Sequence, residues 1–252
     1  MAFSSSQIPR CYTPPSLWSD NGHISLPPGE AHHLLRVLRT EPGRRVLVFD
    51  GTGREAETEL IGTLENGGAE LKLIRELPMT TRSVEIELLQ AIPKGTRMEI
   101  ILQKATELGV SAIQPIITER TIVRLAGQKL ITKHERWSKT VVAAAKQCGV
   151  ASLPRMKPTR SFTECLENGN TWDLLLLCSL ADTALPLRKV LKDQKLKKPR
   201  SIGILIGPEG DFSDAEHAAA VTAGAIAVSL GKRILRTDTA PLYILSVLDY
   251  VL

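Results

Sequence analysis

Apolar positions in this chain change their spacing once, near residue 80. Before that point they alternate. Arg45–Phe49 is apolar and β-prone, Glu55–Leu64 alternates, and Glu70–Leu77 alternates again after Asn66-Gly67-Gly68. A two-residue period of this kind predicts half-buried strands. Asp50-Gly51-Thr52-Gly53 marks a tight turn between two of them. A brief helical stretch, His32–Arg39, interrupts a β-rich region that reads as a small β-barrel-like domain. Leu77–Arg82, with Pro78 and two threonines, reads as a linker.

From Ser83 onward short apolar runs alternate with helical periodicity. Strands are predicted at Val84–Ile92, Ile113–Ile117, Leu174–Cys178, Ile202–Ile206 and Ala225–Leu230. Helices are predicted at Arg97–Leu108, His134–Cys148, Pro186–Lys192, Ser213–Ala223 and Thr237–Val251. Met98, Ile101, Leu102, Ala105 and Leu108 share one face of the first. Ser213 and Glu216 form a Ser-x-x-Glu capping box for the fourth. Strands alternating with helices define an α/β domain with a mostly parallel sheet. The expected division is 1–78 for the barrel and 82–252 for the α/β domain.

Composition narrows the class. Aromatics are 4% of 252 residues, so the core is expected to be built from Leu, Ile, Val and Ala. No uncharged run approaches the ~20 apolar residues of a membrane span. The first ten residues lack the basic and apolar regions of a secretory signal. Cys11, Cys148, Cys165 and Cys178 form no Cys-x-x-Cys pair, which points away from zinc or a disulfide framework and toward a reducing, cytoplasmic setting. His32 and His33 have no third ligand spaced nearby, so no metal is expected. The net charge of +5 is uneven: residues 94–160 hold 13 basic and 4 acidic side chains. That surplus fits either a polyanionic partner, RNA or DNA first, or a solvated basic face.

Two segments follow buried strands, at the sheet edge where open α/β folds bind ligands. Ile206-Gly207-Pro208-Glu209-Gly210-Asp211-Phe212-Ser213 carries a strand through a glycine-rich turn into a capped helix. It is neither a dinucleotide fingerprint nor a phosphate loop; it reads as a ligand-approaching turn or as a plain strand-to-helix connection. Ser229-Leu230-Gly231-Lys232-Arg233-Ile234-Leu235-Arg236-Thr237-Asp238-Thr239-Ala240 is a basic, apolar loop that opens a helix. Its Thr/Asp pair reads as a helix cap or as part of a reactive site.

These two segments resemble the signature loops of the SPOUT class of S-adenosylmethionine-dependent RNA methyltransferases, and more narrowly of the RsmE family, which methylates N3 of a uridine in 16S ribosomal RNA. Ile8-Pro9-Arg10 with Tyr12, His32-His33-Leu34-Leu35-Arg36-Val37-Leu38-Arg39 with Gly43, Lys94-Gly95-Thr96-Arg97-Met98-Glu99, and Gln103-Lys104-Ala105-Thr106-Glu107-Leu108-Gly109-Val110 are similar to that family in the same order. Glu119-Arg120, Arg136-Trp137 and Gln147-Cys148-Gly149 continue the likeness. The chain departs from it at Ala143, Lys146 and Val150; Asp211 stands where a second glycine is common, and Asp238 where glutamate is common.

The resemblance implies a PUA-like β-barrel followed by an α/β domain threaded as a trefoil knot, and a homodimer acting on 16S rRNA or the small subunit. It implies a pocket for S-adenosylmethionine formed by Leu177, Cys178 and Ser179, by Gly207, Pro208, Glu209 and Gly210, and by Leu230, Gly231, Ile234, Leu235, Arg236 and Thr239. Uracil N3 carries a proton and must lose it to attack a methyl group; a positioned carboxylate or a polarised water can accept that proton. Asp238 is the first candidate and Glu209 the second, with Arg236 stabilising the resulting anion or positioning a phosphate. RNA contacts are expected from Arg10, Arg36, Arg39, Lys94, Arg97, Arg120 and Arg124. A SPOUT ribose 2′-O-methyltransferase and a non-catalytic RNA-binding assembly protein are the alternatives.

Overall fold

The protein is described here by a computed structural model covering residues 8–79, 83–123, 127–167, 172–193 and 199–252. It divides into two compact units, Met1–Thr81 with Ala145–Leu153, and Arg82–Ala144 with Pro154–Leu252. The segment 145–153 clusters with the first unit, although it lies inside the expected second domain. Residues 80–82 of the expected linker, and Arg124, lie outside the described residues.

The first unit is a five-stranded mixed sheet of β1 (Arg10–Tyr12), β2 (His23–Leu26), β3 (Arg45–Phe49), β4 (Glu55–Thr63) and β5 (Ala69–Glu76), in the order β1-β3-β4-β5-β2. Only β1 and β3 run parallel. The β3–β4 turn closes because Asp50 Oδ1 accepts hydrogen bonds from the Thr52 N–H and hydroxyl, both at 2.8 Å. Gly51 and Gly53 there adopt φ of 86° and 110°, which side chains resist. Ile24, Leu26, Leu34, Val46, Val48, Leu60 and Leu71 fill the core, the aliphatic interior the composition implies. The expected helical stretch begins earlier, as α1 (Pro28–His32), and continues as a π-turn over His33–Val37. Lys146 ion-pairs with Glu30 at 2.8 Å, both side chains 18% exposed, which holds the 145–153 segment to this unit. That pairing gives the departure at Lys146 a structural role.

The second unit is a wholly parallel sheet of β6 (Glu85–Ala91), β7 (Ala112–Ile117), β8 (Arg155–Met156), β9 (Arg160–Ser161), β10 (Leu174–Cys178), β11 (Leu185–Pro186), β12 (Ser201–Ile206) and β13 (Ile226–Ser229). The order is β11-β13-β10-β12-β6-β7-β8, with β9 also on β7. Between and after these strands run α2 (Arg97–Glu107), α3 (Gly127–Cys148), α4 (Phe162–Glu167), α5 (Leu187–Lys192), α6 (Asp214–Thr222) and α7 (Thr239–Val251). Strands covered on both faces read as continuous apolar runs, and all five residues of β10 are buried. The capping box at Ser213 and Glu216 forms on α6 as its spacing predicts. α3 starts seven residues before the expected His134: its first turns carry β-branched Ile131 and Thr132, poor helix formers in isolation. The sheet order puts the C-terminal ends of β13, β10, β12 and β6 side by side, so the loops leaving them converge on one edge.

Candidate active site at the carboxyl edge of the parallel sheet

The loops after β10, β12 and β13, with the first residues of α2 and α7, enclose a cavity of about 380 Å³, within the range of small-molecule sites. Pro208, Leu230, Ile234 and Leu235 give it apolar walls. The loop after β12 bends at Gly207. A Cβ there would sit 3.0 Å from Asp211 Oδ1 and 3.3 Å from the Phe212 ring, so only glycine fits without movement. Asp211 takes φ 59°, the left-handed region, a conformation that a glycine would adopt without strain. Its carboxylate offsets the strain: Oδ1 accepts from the Phe212 N–H at 2.8 Å and Oδ2 from the Leu180 N–H at 3.4 Å. The second contact ties this loop to the one leaving β10.

A further tie joins the β12 and β13 loops. Thr237, buried, donates its hydroxyl to the Gly207 carbonyl at 2.8 Å and accepts from Gln90 Nε2 at 3.2 Å. Arg120 clamps the outer side of the β12 loop, donating to the carbonyls of Gly210 at 2.7 Å and Phe212 at 3.2 Å. Gly231 sits at φ 127° with nothing within 4 Å of where a Cβ would be, so backbone conformation alone calls for glycine.

Three charged groups meet beside the cavity. Arg97 Nη1 donates to Glu209 Oε1 at 2.7 Å, and its Nε lies 3.9 Å from Asp238 Oδ1. Burial pushes the Glu209 carboxyl upward, but its own N–H, the Lys94 N–H at 3.1 Å and Arg97 outweigh burial and hold it below the usual carboxylate range. A carboxylate so held is a weak base. Asp238 makes no side-chain cap bond to α7, so the plain helix-cap reading does not apply to it. The Cys178 thiol in the wall is driven strongly upward by burial and then by Asp211, and it is therefore a neutral wall group.

Of the residues expected around a cofactor, Cys178, Ser179, Gly207, Pro208, Glu209, Leu230, Gly231, Ile234, Leu235 and Arg236 line the cavity. Leu177, Gly210 and Thr239 do not. Leu177 points into the core cluster under the sheet, Gly210 turns its carbonyl to Arg120, and Thr239 is exposed at the start of α7. Asp238 flanks the cavity through Arg97 without lining it.

The residues expected on RNA separate by environment. Arg36, Arg39 and the Lys94 side chain are exposed. Arg97 belongs to the cavity wall and Arg120 to the loop clamp. Arg10 turns inward, paired with Glu55 and lying 4.6 Å over the Phe49 ring, with its side chain 12% exposed. Gln90 went unread in the sequence, while Thr237 was read only as half of a Thr/Asp helix-opening pair and Asp211 only as a departure from the glycine of the resembled family. Gln90 offered a signal, a polar residue inside the apolar stretch Leu88–Ile92, where burial demands partners.

A parallel sheet whose strand order gathers three loops around one cavity, in a chain that also carries a small β unit, is the architecture of a two-part RNA methyltransferase. Family models agree: an RNA methyltransferase domain matches residues 80–249, and an RNA methyltransferase PUA domain matches residues 26–74. The chain belongs to the ribosomal RNA small subunit methyltransferase E family. It is 36% identical over 234 residues to that protein of Synechocystis, covering 91% of this chain and 73% of the relative. With the Bacillus subtilis protein it shares 32% over 229 residues, or 88% and 87% of the two chains. The Neisseria gonorrhoeae enzyme of the same name, solved bound to S-adenosyl methionine, superposes with a TM-score of 0.84 at 34% identity, covering 97% of this chain and 98% of the other. A Legionella pneumophila methyltransferase solved with the same cofactor gives 0.86 at 30% identity, with equal coverage.

Proposed function

We propose that this protein transfers a methyl group from S-adenosylmethionine to N3 of a uridine in 16S ribosomal RNA, in the cytoplasm and as a homodimer. The observation that carries the reading is the cavity itself. Its β12 and β13 loops are stitched together by Thr237, its walls are apolar, and a carboxylate–guanidinium cluster lies at its rim. The donor set fits the cofactor: apolar side chains for the adenine faces, backbone polar groups in the glycine bends, and room of about 380 Å³. When bound, S-adenosylmethionine supplies a methyl carbon on a positively charged sulfur.

The chain's own residues supply the rest. Asp238 accepts the N3 proton, which leaves the nitrogen's electron pair free to attack the methyl carbon. Glu209, held ionised by three donors, is the weaker candidate. Arg236, exposed at the cavity mouth, steadies the uracil oxygen or a flanking phosphate. Arg36, Arg39 and Lys94 offer exposed charge to the RNA backbone. Exposed Tyr250, Val251 and Leu252 at the end of α7 support a second copy packing there.

Nucleoside mass spectrometry of small-subunit RNA incubated with labelled cofactor tests the reading. N3-methyluridine is expected. Ribose methylation would indicate the 2′-O-methyltransferase alternative, and no methylation a binding role alone. Asp238→Asn is expected to cut turnover at least a hundredfold with cofactor affinity preserved; near-normal turnover would remove Asp238 from the base role.

A further inference from the structure

One guanidinium faces two carboxylates at the rim of the cavity and bonds only one of them. Arg97 opens α2 and lines the cavity. Its Nη1 donates to Glu209 at 2.7 Å, whereas its Nε stops 3.9 Å from Asp238 Oδ1, outside hydrogen-bond reach. Glu209 has a second tether, the Lys94 N–H at 3.1 Å. Asp238 Oδ1 is sealed from solvent and has no hydrogen-bond partner among the described residues. Buried carboxylate oxygens without a donor are uncommon. Here the donor that could satisfy it, Arg97 Nε, is about one ångström too far away, and its guanidinium is held by Glu209 through Nη1.

The charged surroundings of Asp238 leave few other influences. From α2 it meets Arg97; Glu99 in the same first turn faces Lys133 and Arg136 instead. From the loop after β12 comes Glu209, acting through Arg97. From its own loop comes Arg236, exposed, and the first turn of α7 carries no acidic residue. A bonded arginine would stabilise the ionised form of Asp238 and weaken it as a proton acceptor.

We infer that Glu209 is a positioning residue that holds Arg97 off Asp238, leaving that carboxylate free to take a proton. The inference rests on the proposed role of Asp238 as acceptor. It assigns the glutamate of the Gly-Pro-Glu-Gly turn an indirect part in proton transfer, through the conformation of one arginine. Arg97 then counterbalances Glu209 during the reaction, while the proton lost from N3 resides on Asp238.

Glu209→Gln tests this. The crystal structure of the variant is expected to show Arg97 Nε closed onto Asp238 Oδ1, from 3.9 Å to about 3 Å. The acid limb of its kcat/KM profile is expected to move down by about one pH unit, with a severalfold lower plateau. Arg97→Met, which removes the cation, is expected to move the same limb upward, and it keeps the test available if the glutamine variant folds poorly. An Arg97 that stays at its original distance in Glu209→Gln, or an acid limb that is unmoved in both variants, overturns the inference. Asp238→Asn at full activity would sink the acceptor role alone, and the crystal structure of Glu209→Gln would still decide whether Glu209 restrains Arg97.

Discussion

Replacing Thr237 by valine keeps the shape of the side chain and deletes one hydroxyl. That hydroxyl is buried, donates to the Gly207 carbonyl at 2.8 Å and accepts from Gln90 at 3.2 Å. Gln90 Nε2 keeps a bond to the Ala91 carbonyl at 3.0 Å, so its loss is partial. The Gly207 carbonyl loses the donor that joins its loop to the β13 loop. An unsatisfied buried acceptor costs roughly 1–3 kcal/mol, with no cavity term because the volume is conserved. Thr237→Ser retains the hydroxyl and loses a methyl group, worth about 1 kcal/mol or less. The hydrogen-bond account therefore predicts that valine is the more damaging of the two, against the order expected from apolar burial.

Thermal denaturation and titration calorimetry measure both consequences. Thr237→Val is expected to unfold about 3–8 °C lower than the parent. Because Thr237 fastens one cavity loop to the other, S-adenosylmethionine affinity is expected to fall about tenfold, equivalent to about 1.4 kcal/mol. Gln90→Leu added to Thr237→Val should cost less than the two single changes summed, since each already breaks the shared bond. The reasoning is refuted if Thr237→Val lies within about 0.5 kcal/mol of the parent with unchanged affinity. It is also refuted if Thr237→Ser is as damaging as Thr237→Val.

Two further predictions concern the body of the second unit and the cysteines. Gly203→Ala, in β12, places a Cβ 2.7 Å from the Trp172 ring and 2.8 Å from Leu175 Cδ1. It should destabilise by about 1–3 kcal/mol and shift tryptophan emission, and unchanged stability and emission would reject this account. Burial pushes the Cys165 thiol up to about 11 and Cys11 up to about 12, and Cys178 moves in the same direction. Maleimide at pH 8 should therefore label the partly exposed Cys148 and spare the other three, as read by peptide mass spectrometry. Labelling of Cys178 at the rate of Cys148 would show that its burial has been misjudged.

What was legible in the sequence was local. β3, β10 and the capped start of α6 stand where period and capping place them, because each is decided within a few neighbouring residues. The strands that pattern missed, β1, β2, β8, β9 and β11, are two to four residues long, too short for alternation to register. The two signature loops were legible as a candidate site because each follows a buried strand, and parallel sheets place such exits on one edge. Arginine was the least legible residue. The expected RNA contacts included Arg10, Arg97 and Arg120, yet each places its guanidinium within its own unit, on Glu55, Glu209 and the Gly210 carbonyl. The partners lie 45, 112 and 90 positions away in sequence, so no local pattern marks them.

The departures from the family pattern follow the same logic once their partners are known. Asp211 occupies a left-handed position at some conformational cost, then uses its carboxylate to brace two neighbouring N–H groups, which glycine cannot do. Asp238 is one methylene shorter than the glutamate common at its position, and the structure leaves it just beyond the reach of Arg97. A longer side chain at 238 would close that gap, and the restraint inferred for Glu209 would then have to be stronger to keep the pair apart. On the proposed role of Asp238 as acceptor, the aspartate and the tethered arginine form one arrangement, in which side-chain length and a competing carboxylate together set how freely that carboxylate takes a proton.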